Sequence, residues 1–235
     1  MAAENKERYF NFPIQLLDGF LIDSKTCLNN IIDYAIYSHS LVLEFGDDEF
    51  DLMKASASFF NVSLGSVIIS YENGKELFNS IEEGSPKVGL NVSIFWDFYK
   101  NSKSEFEKVT LLAFLAIKSI IGKKPYWKVT NNYWLSRMDG KVKSVQEEKE
   151  LTNEIRKYAT EYQTKKIKKH LHLYWGLKDY SRYTRGFYVS FKLSLEQLVY
   201  VAEKRRETTK ERSYKHQQQE ALKKALQKLK ENGSK

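Results

Sequence analysis

The chain has 235 residues, enough for one large domain or two small ones, and its hydrophobic content of 42% can build a real core. Its 38 Lys and Arg outweigh 30 Asp and Glu to give a net charge of +8. The excess is one-sided: residues 1–122 carry 10 basic and 17 acidic side chains, net −7, whereas residues 123–235 carry 28 and 13, net +15. This polarity suggests an acidic scaffold joined to a module that meets a polyanion. Cys27 stands alone, which excludes an intrachain disulfide framework and a Cys-based zinc site. With no signal peptide, transmembrane run or lipidation motif, the expected location is the cytoplasm, without membrane contact.

In chain order, Tyr9-Phe10-Asn11-Phe12-Pro13 reads as an extended segment with its aromatics on the core. Asp23 or Ser24 caps a helix to about Ser40 that buries Cys27, Leu28, Ile31, Ile32 and Ala35. Asp47-Asp48-Glu49 opens a second helix, where negative charge suits the positive dipole end, with Phe50, Met53, Ala57 and Phe60 inward.

Ala57, Asn61, Val62, Ser63 and Val67 then fall at the spacing A-x-x-x-G-V-S-x-x-x-V. A small residue lets helices cross, Asn tolerates a left-handed turn, and Ser caps the next helix. Over about twenty residues this resembles the helix-turn-helix families. The outward positions, Leu64, Ile68 and Ile69 among them, are apolar where a recognition helix carries Arg, Lys, Asn or Gln. Packing or homodimerisation is the expected use of that surface.

Asn73-Gly74 is a turn signal. Glu82-Glu83-Gly84-Ser85-Pro86-Lys87 is the candidate linker, and 88–101 suits a strand or a short helix equally. Ser104 caps the clearest helix, whose apolar run from Val109 to Ile121 is nearly all-round and ends at Gly122. Thr130 caps a helix over 131–138 with Trp134, Leu135 and Met138 inward. Leu151, Ile155, Tyr158 and Tyr162 give helical spacing for an inserted helix at 145–158. A basic helix begins near Thr164 and stops at Gly176, with Ile167, Leu171 and Tyr174 inward. Lys165, Lys169 and His172 point away, with Lys166 and Lys168 flanking. Phe187, Val189, Phe191 and Leu193 alternate with polar residues as a half-buried strand, behind a basic hairpin tip holding Arg182, Tyr183 and Arg185. Ser194-x-x-Gln197 starts a helix with Leu195, Leu198, Val199 and Ala202 inward; a Lys-, Gln- and Glu-rich tail follows, helical or disordered.

A basic helix followed by a basic ribbon resembles a winged helix-turn-helix. The expected fold is therefore mainly α with a small β ribbon (α+β): an acidic helical module at 1–84, a winged-helix-like module at 85–203 and a basic tail at 204–235. Two joined modules of this type look like plasmid replication initiators, a resemblance that implies a first module for dimerisation and a second for origin repeats. Transcriptional regulators share the same physics. The resemblance implies binding of double-stranded DNA through Lys165, Lys166, Lys168, Lys169, His172, Arg182, Tyr183 and Arg185, with Leu64, Ile68 and Ile69 pairing copies. The inserted helix leaves open which of 145–158 and 164–175 enters a groove, and the lysine face favours the later one. The alternative class is an interaction module whose basic face meets an acidic protein.

No catalytic constellation survives weighing, so no enzyme, cofactor or metal is expected. His170 and His172 diverge on a helix, and His39 and His216 stand apart. Asp47-Asp48-Glu49-Phe50-Asp51 reads as a helix cap rather than a magnesium site. Tyr180 and Tyr183 lack the paired histidines of a strand-nicking enzyme; aromatics on a basic hairpin more often stack on bases or pack beneath the wing.

Overall fold

A computed structural model describes residues 7–43, 48–182 and 186–232, with side chains as far as residue 224. It is mainly helical with two small antiparallel sheets, an α+β fold. Strand β1 (Tyr9–Pro13) pairs antiparallel with β2 (Lys87–Asn91), in register Phe10↔Leu90 and Phe12↔Val88. Those four residues are buried, and Phe10 meets Phe60 and Phe95 edge-on at 5.4 and 5.6 Å. The candidate linker 82–87 ends inside β2, where Lys87 pairs with Pro13, so backbone hydrogen bonds join the two sides of the boundary that the sequence suggests. Residues 88–101 hold both candidate elements. Strand β2 runs directly into helix α1 (Val92–Lys100), whose first turn is capped by Asn91 Oδ1 accepting from Ser93 N at 2.7 Å.

Ahead of β2 lie helices α2 (Ser24–Ser40), α3 (Glu49–Phe60) and α4 (Leu64–Ser80). Asp23 caps α2 through Thr26 N, and Asp48 caps α3 through Phe50 N; Asp47 lies outside the described residues. Phe50 is exposed rather than inward: it sits in the first turn, with Lys54 Nζ over its ring at 4.4 Å. Helices α3 and α4 meet at 106° across a tight turn. Asn61 holds the left-handed position there (φ 56°), and Ser63 caps α4.

The expected turn at Asn73-Gly74 does not exist; both residues lie inside α4. Glycine is needed there for approach rather than reversal. A Cβ on Gly74 would sit 2.1 Å from the Asp33 carbonyl oxygen of α2. Beside it, Asn73 Nδ2 donates to Asp33 Oδ2 at 3.2 Å.

Helix α5 (Glu105–Ile121) opens with a complete Ser104–Glu107 capping box and buries Val109, Leu111, Leu112, Phe114, Leu115, Ile117, Ile120 and Ile121. It packs against β2 and the short 3-10 turn Ile14–Leu17 on one side, and against α6 (Asn131–Met138) on the other. Strand β3 (Trp127–Val129) leads into α6, which Thr130 caps.

The inserted helix expected at 145–158 is not continuous. Residues 139–160 form a strap holding a 3-10 turn (Glu148–Glu150) and one helical turn, α7 (Asn153–Arg156). Tertiary anchors override the helical spacing. Asp139 accepts from Thr152 N and Oγ1 at 3.0 and 2.5 Å, and Ser136 Oγ accepts from Val145 N at 3.0 Å. Leu151, Ile155 and Tyr158 are nonetheless buried.

Thr160 caps helix α8 (Glu161–Tyr174), so the basic helix starts earlier than expected and Thr164 points inward with Ile167 and Leu171. Tyr174 is exposed instead of inward, because Trp175 takes the place against Phe114, 4.3 Å between rings. Strands β4 (Lys178–Tyr180) and β5 (Phe187–Ser190) follow, and the sheet order is β3–β5–β4. The last helix, α9, runs from Leu195 to Asn232. It buries Leu198 and Ala202 but leaves Leu195 exposed. Beyond the sheet it projects as a polar helix; the whole helix is about 57 Å long at 1.5 Å per residue.

Replacing Gly74 by Ala should force α2 and α4 apart and cost roughly 3 kcal/mol or more. Replacing Gly65, which has open space around its Cβ position, should be neutral or stabilise by about 0.5–1 kcal/mol. Urea unfolding followed by circular dichroism measures both; equal midpoints would refute the close-crossing account.

Candidate nucleic-acid interface

The orientation of α8 follows from its anchoring. Ile167 and Leu171 are fully buried and α8 packs on α5, so the opposite side faces water. That side bears Lys165, Lys166 and Lys169, all exposed. Lys165 makes an exposed ion pair with Glu161 at 2.6 Å, and Lys166 Nζ lies 4.6 Å from the Phe106 ring centroid. Glu161 is the only acid on the helix. Tyr162, expected inward, is 72% exposed and joins this stripe three residues before Lys165, as Leu173 does four residues after Lys169. The Thr160-x-x-Gln163 start signal, which sets the helix phase, would have placed Tyr162 there.

Lys168 and His172 turn a different way. The Lys168 ammonium sits 3.3 Å from the Phe187 ring centroid and 5.7 Å from that of Trp134. Burial holds its pKa below the ordinary lysine value, against the opposing pull of Asp179. His172 Nε2 contacts Asp179 Oδ1 on β4. These two residues thus brace α8 on the hairpin, and Lys168 also borders an open polar cleft of about 540 Å³. The start of α6 (Thr130, Asn131, Asn132), the strap at Ser144 and Gln146, and Ser181 just past the end of β4 line the rest. Gly186 permits the hairpin return: its φ is +95°, and a Cβ would meet the Val129 carbonyl at 2.5 Å.

Arg182 is not beside Lys165 and Lys169. Strand alternation sends Asp179 towards α8 and Tyr180 towards α9, where the Tyr180 hydroxyl donates to Glu203 Oε1 at 2.7 Å. Arg182 follows that second parity, its Nη1 4.0 Å from Glu203 Oε2, while Arg206 pairs with the same carboxylate at 3.2 Å. The Tyr180 hydrogen bond, then the arginines, hold the Glu203 carboxyl below its usual range. Tyr183 and Arg185 lie outside the described residues. In the other half of the chain Leu64 is half-buried, leaving Ile68 and Ile69 as the exposed apolar pair.

Among the described residues, no three His, Cys, Asp or Glu side chains gather as a metal site would require. Cys27 is buried, donates to the Asp18 carbonyl at 3.1 Å, and is pushed up to about 11 by burial, so its thiol is protonated at neutral pH. No single helix among the described residues is long and apolar enough to cross a membrane. Comparison with protein-family models, with curated proteins and with solved structures found no match.

The lysines of α8 therefore differ in kind. Lys168→Ala should lower unfolding stability by about 1 kcal/mol, because its stem and ammonium no longer pack on Phe187 and Trp134. Lys165→Ala and Lys169→Ala should each stay within about 0.5 kcal/mol of the parent, as exposed charges do. Equal denaturation midpoints for all three variants would contradict this division.

Proposed function

We propose that the C-terminal half holds double-stranded DNA, with α8 laid into the major groove and the first turn of α6 on the adjoining phosphate backbone. The observation that carries this reading is the solvent face of α8: Tyr162, Lys165, Lys166 and Lys169, opposed by Glu161 alone. The order of elements supports it. Helix α5, strand β3, helices α6 and α8 and the β4–β5 hairpin follow one another, and β3 joins the hairpin as a third strand, as in a winged helix-turn-helix. The strap at 139–160 is longer than the usual turn, but Asp139, Ser136 and Thr152 pin it, so it extends the motif without loosening it. In the N-terminal half, the 106° angle between α3 and α4 falls within the range of helix-turn-helix pairs. Two such modules fit a replication initiator or a transcriptional regulator of a mobile element. On this reading the hairpin contributes through its tip and Ser181, while Arg182 serves the far side of the sheet.

Fluorescence anisotropy with labelled duplex across a salt series tests the proposal. The Lys165→Ala/Lys169→Ala variant should stay folded and bind more weakly, and its log–log salt slope should shrink by about 0.9 for each phosphate that it no longer neutralises. Unchanged affinity and slope in the folded variant would remove α8 from the interface. A parent protein that ignores duplex but captures an acidic protein would favour the rival class.

Two copies pair, on the same reading, through the exposed Ile68 and Ile69 of α4. Sedimentation of the parent and of Ile68→Glu should show a dimer and a monomer respectively. A parent that is monomeric at high concentration, both alone and on DNA, would rule the pairing out.

A further inference from the structure

The second sheet has two faces, and α8 uses only one. Alternation puts Val129, Phe187 and Val189 into the core. On the opposite face the register sets Lys128 beside Tyr188 and Tyr188 beside Tyr180, a single row across all three strands. Helix α9 covers this face only in part. It packs down through Leu198 and Ala202, and beyond Ala202 it leaves a cleft of about 320 Å³ over the row.

The lining of that cleft is not what helix-on-sheet packing needs. Two tyrosines meet four cations, Lys128, Arg182, Arg206 and Lys210, around one carboxylate, Glu203. Glu203 is already engaged by the Tyr180 hydroxyl and by Arg206. Among the described residues, Lys128 and Lys210 have no carboxylate within ion-pair distance. Uncompensated like charges in a concave site raise the local concentration of anions. The two tyrosines are half-buried and line the same cleft, with the Lys128 ammonium 6.0 Å from the Tyr188 ring centroid, so aromatic surface and positive charge lie side by side where a flat, anionic π-system would bind.

We infer that this cleft binds a nucleotide unit, its base stacked on Tyr188 and Tyr180 and its phosphate held by the cations of α9 and Lys128. The volume lies at the lower end of ligand sites and suits one nucleotide rather than a duplex. The nucleotide can come from single-stranded nucleic acid or from a free mononucleotide. The site goes beyond the duplex-binding reading and lies on the other side of the sheet from His172 and Lys168.

The full chain is titrated with a labelled twelve-residue oligothymidylate by anisotropy and with AMP and ATP by calorimetry. Binding of the oligonucleotide alone identifies the strand as the source; binding of AMP or ATP identifies the free nucleotide. Tyr188→Ala should weaken whichever binds by about ten-fold, the ordinary effect of losing one stacked base, and Tyr188→Phe should restore it. Lys210→Ala, on the exposed rim, should weaken binding of the oligonucleotide or ATP without unfolding, and should lower the oligonucleotide salt slope by about 0.7. Duplex affinity should not move in these variants, and the Lys165→Ala/Lys169→Ala variant should keep its nucleotide binding. The proposal is overturned if neither ligand binds, or if folded Tyr188→Ala and Lys210→Ala bind as the parent does. It is equally overturned if the Lys165→Ala/Lys169→Ala change alone abolishes oligonucleotide binding, since the strand would then sit on α8.

Discussion

From Val109 to Ile117 helix α5 is buried on every side, and most of the architecture answers that constraint. Its buried residues run around the whole helix, so a single covering layer would leave apolar area in solvent at about 25 cal/mol per Å². The chain therefore supplies cover from both directions: β2 and the turn Ile14–Leu17 from the N-terminal half, α6, α8 and part of the second sheet from the C-terminal half. Trp134 is the clearest instance. It is fully buried, its ring meets Phe187 at 5.8 Å, and its indole N–H donates to the Ala113 carbonyl of α5 at 3.1 Å. The basic surface is a consequence of this packing. Once Ile167 and Leu171 are buried, Lys165 and Lys169 are left exposed to solvent, and Lys166 lies at the margin, its ammonium over the Phe106 ring of α5.

What is legible in the sequence is local. Asp23, Ser63, Ser104 and Thr130 cap helices through partners three residues away, and Asn61 adopts the left-handed position that its own short side chain permits. Such signals depend on nothing distant. The central helix is legible for the same reason, because all-round hydrophobicity has only one physical outcome in water.

Where sequence and structure part, the cause is a partner far along the chain. Asn73-Gly74 serves a turn or a close helix crossing equally well, and Asp33, forty residues earlier, decides between them. The spacing of Leu151, Ile155 and Tyr158 satisfies a helix. A pinned strap buries the same residues, and the Asp139–Thr152 and Ser136–Val145 hydrogen bonds distinguish the two. Lys168 sits at the edge of the basic face by helical angle, yet Phe187 on the hairpin covers it. Arg182 is near the basic helix in sequence but not in space. Strand parity, with Asp179 on one face and Tyr180 on the other, sends it to α9.

That parity divides the positive charge of the C-terminal half into two environments with different physics. On α8 the exposed ammonium groups stand in water beside one acid, so they act as a diffuse, strongly screened field suited to a phosphate backbone. Across the sheet the cations surround Glu203 in a cleft, where separations are short and screening is weaker. The carboxylate is held ionised by the Tyr180 hydroxyl and the two arginines, and so offsets part of the repulsion among them while orienting the tyrosine row. A phosphate entering the cleft would add a second anion without displacing the first, because the donors nearest to hand belong to Lys128 and Lys210. Glu203 then acts as the counterion that lets the cluster fold before any ligand arrives, leaving the remaining positive charge to select an anion.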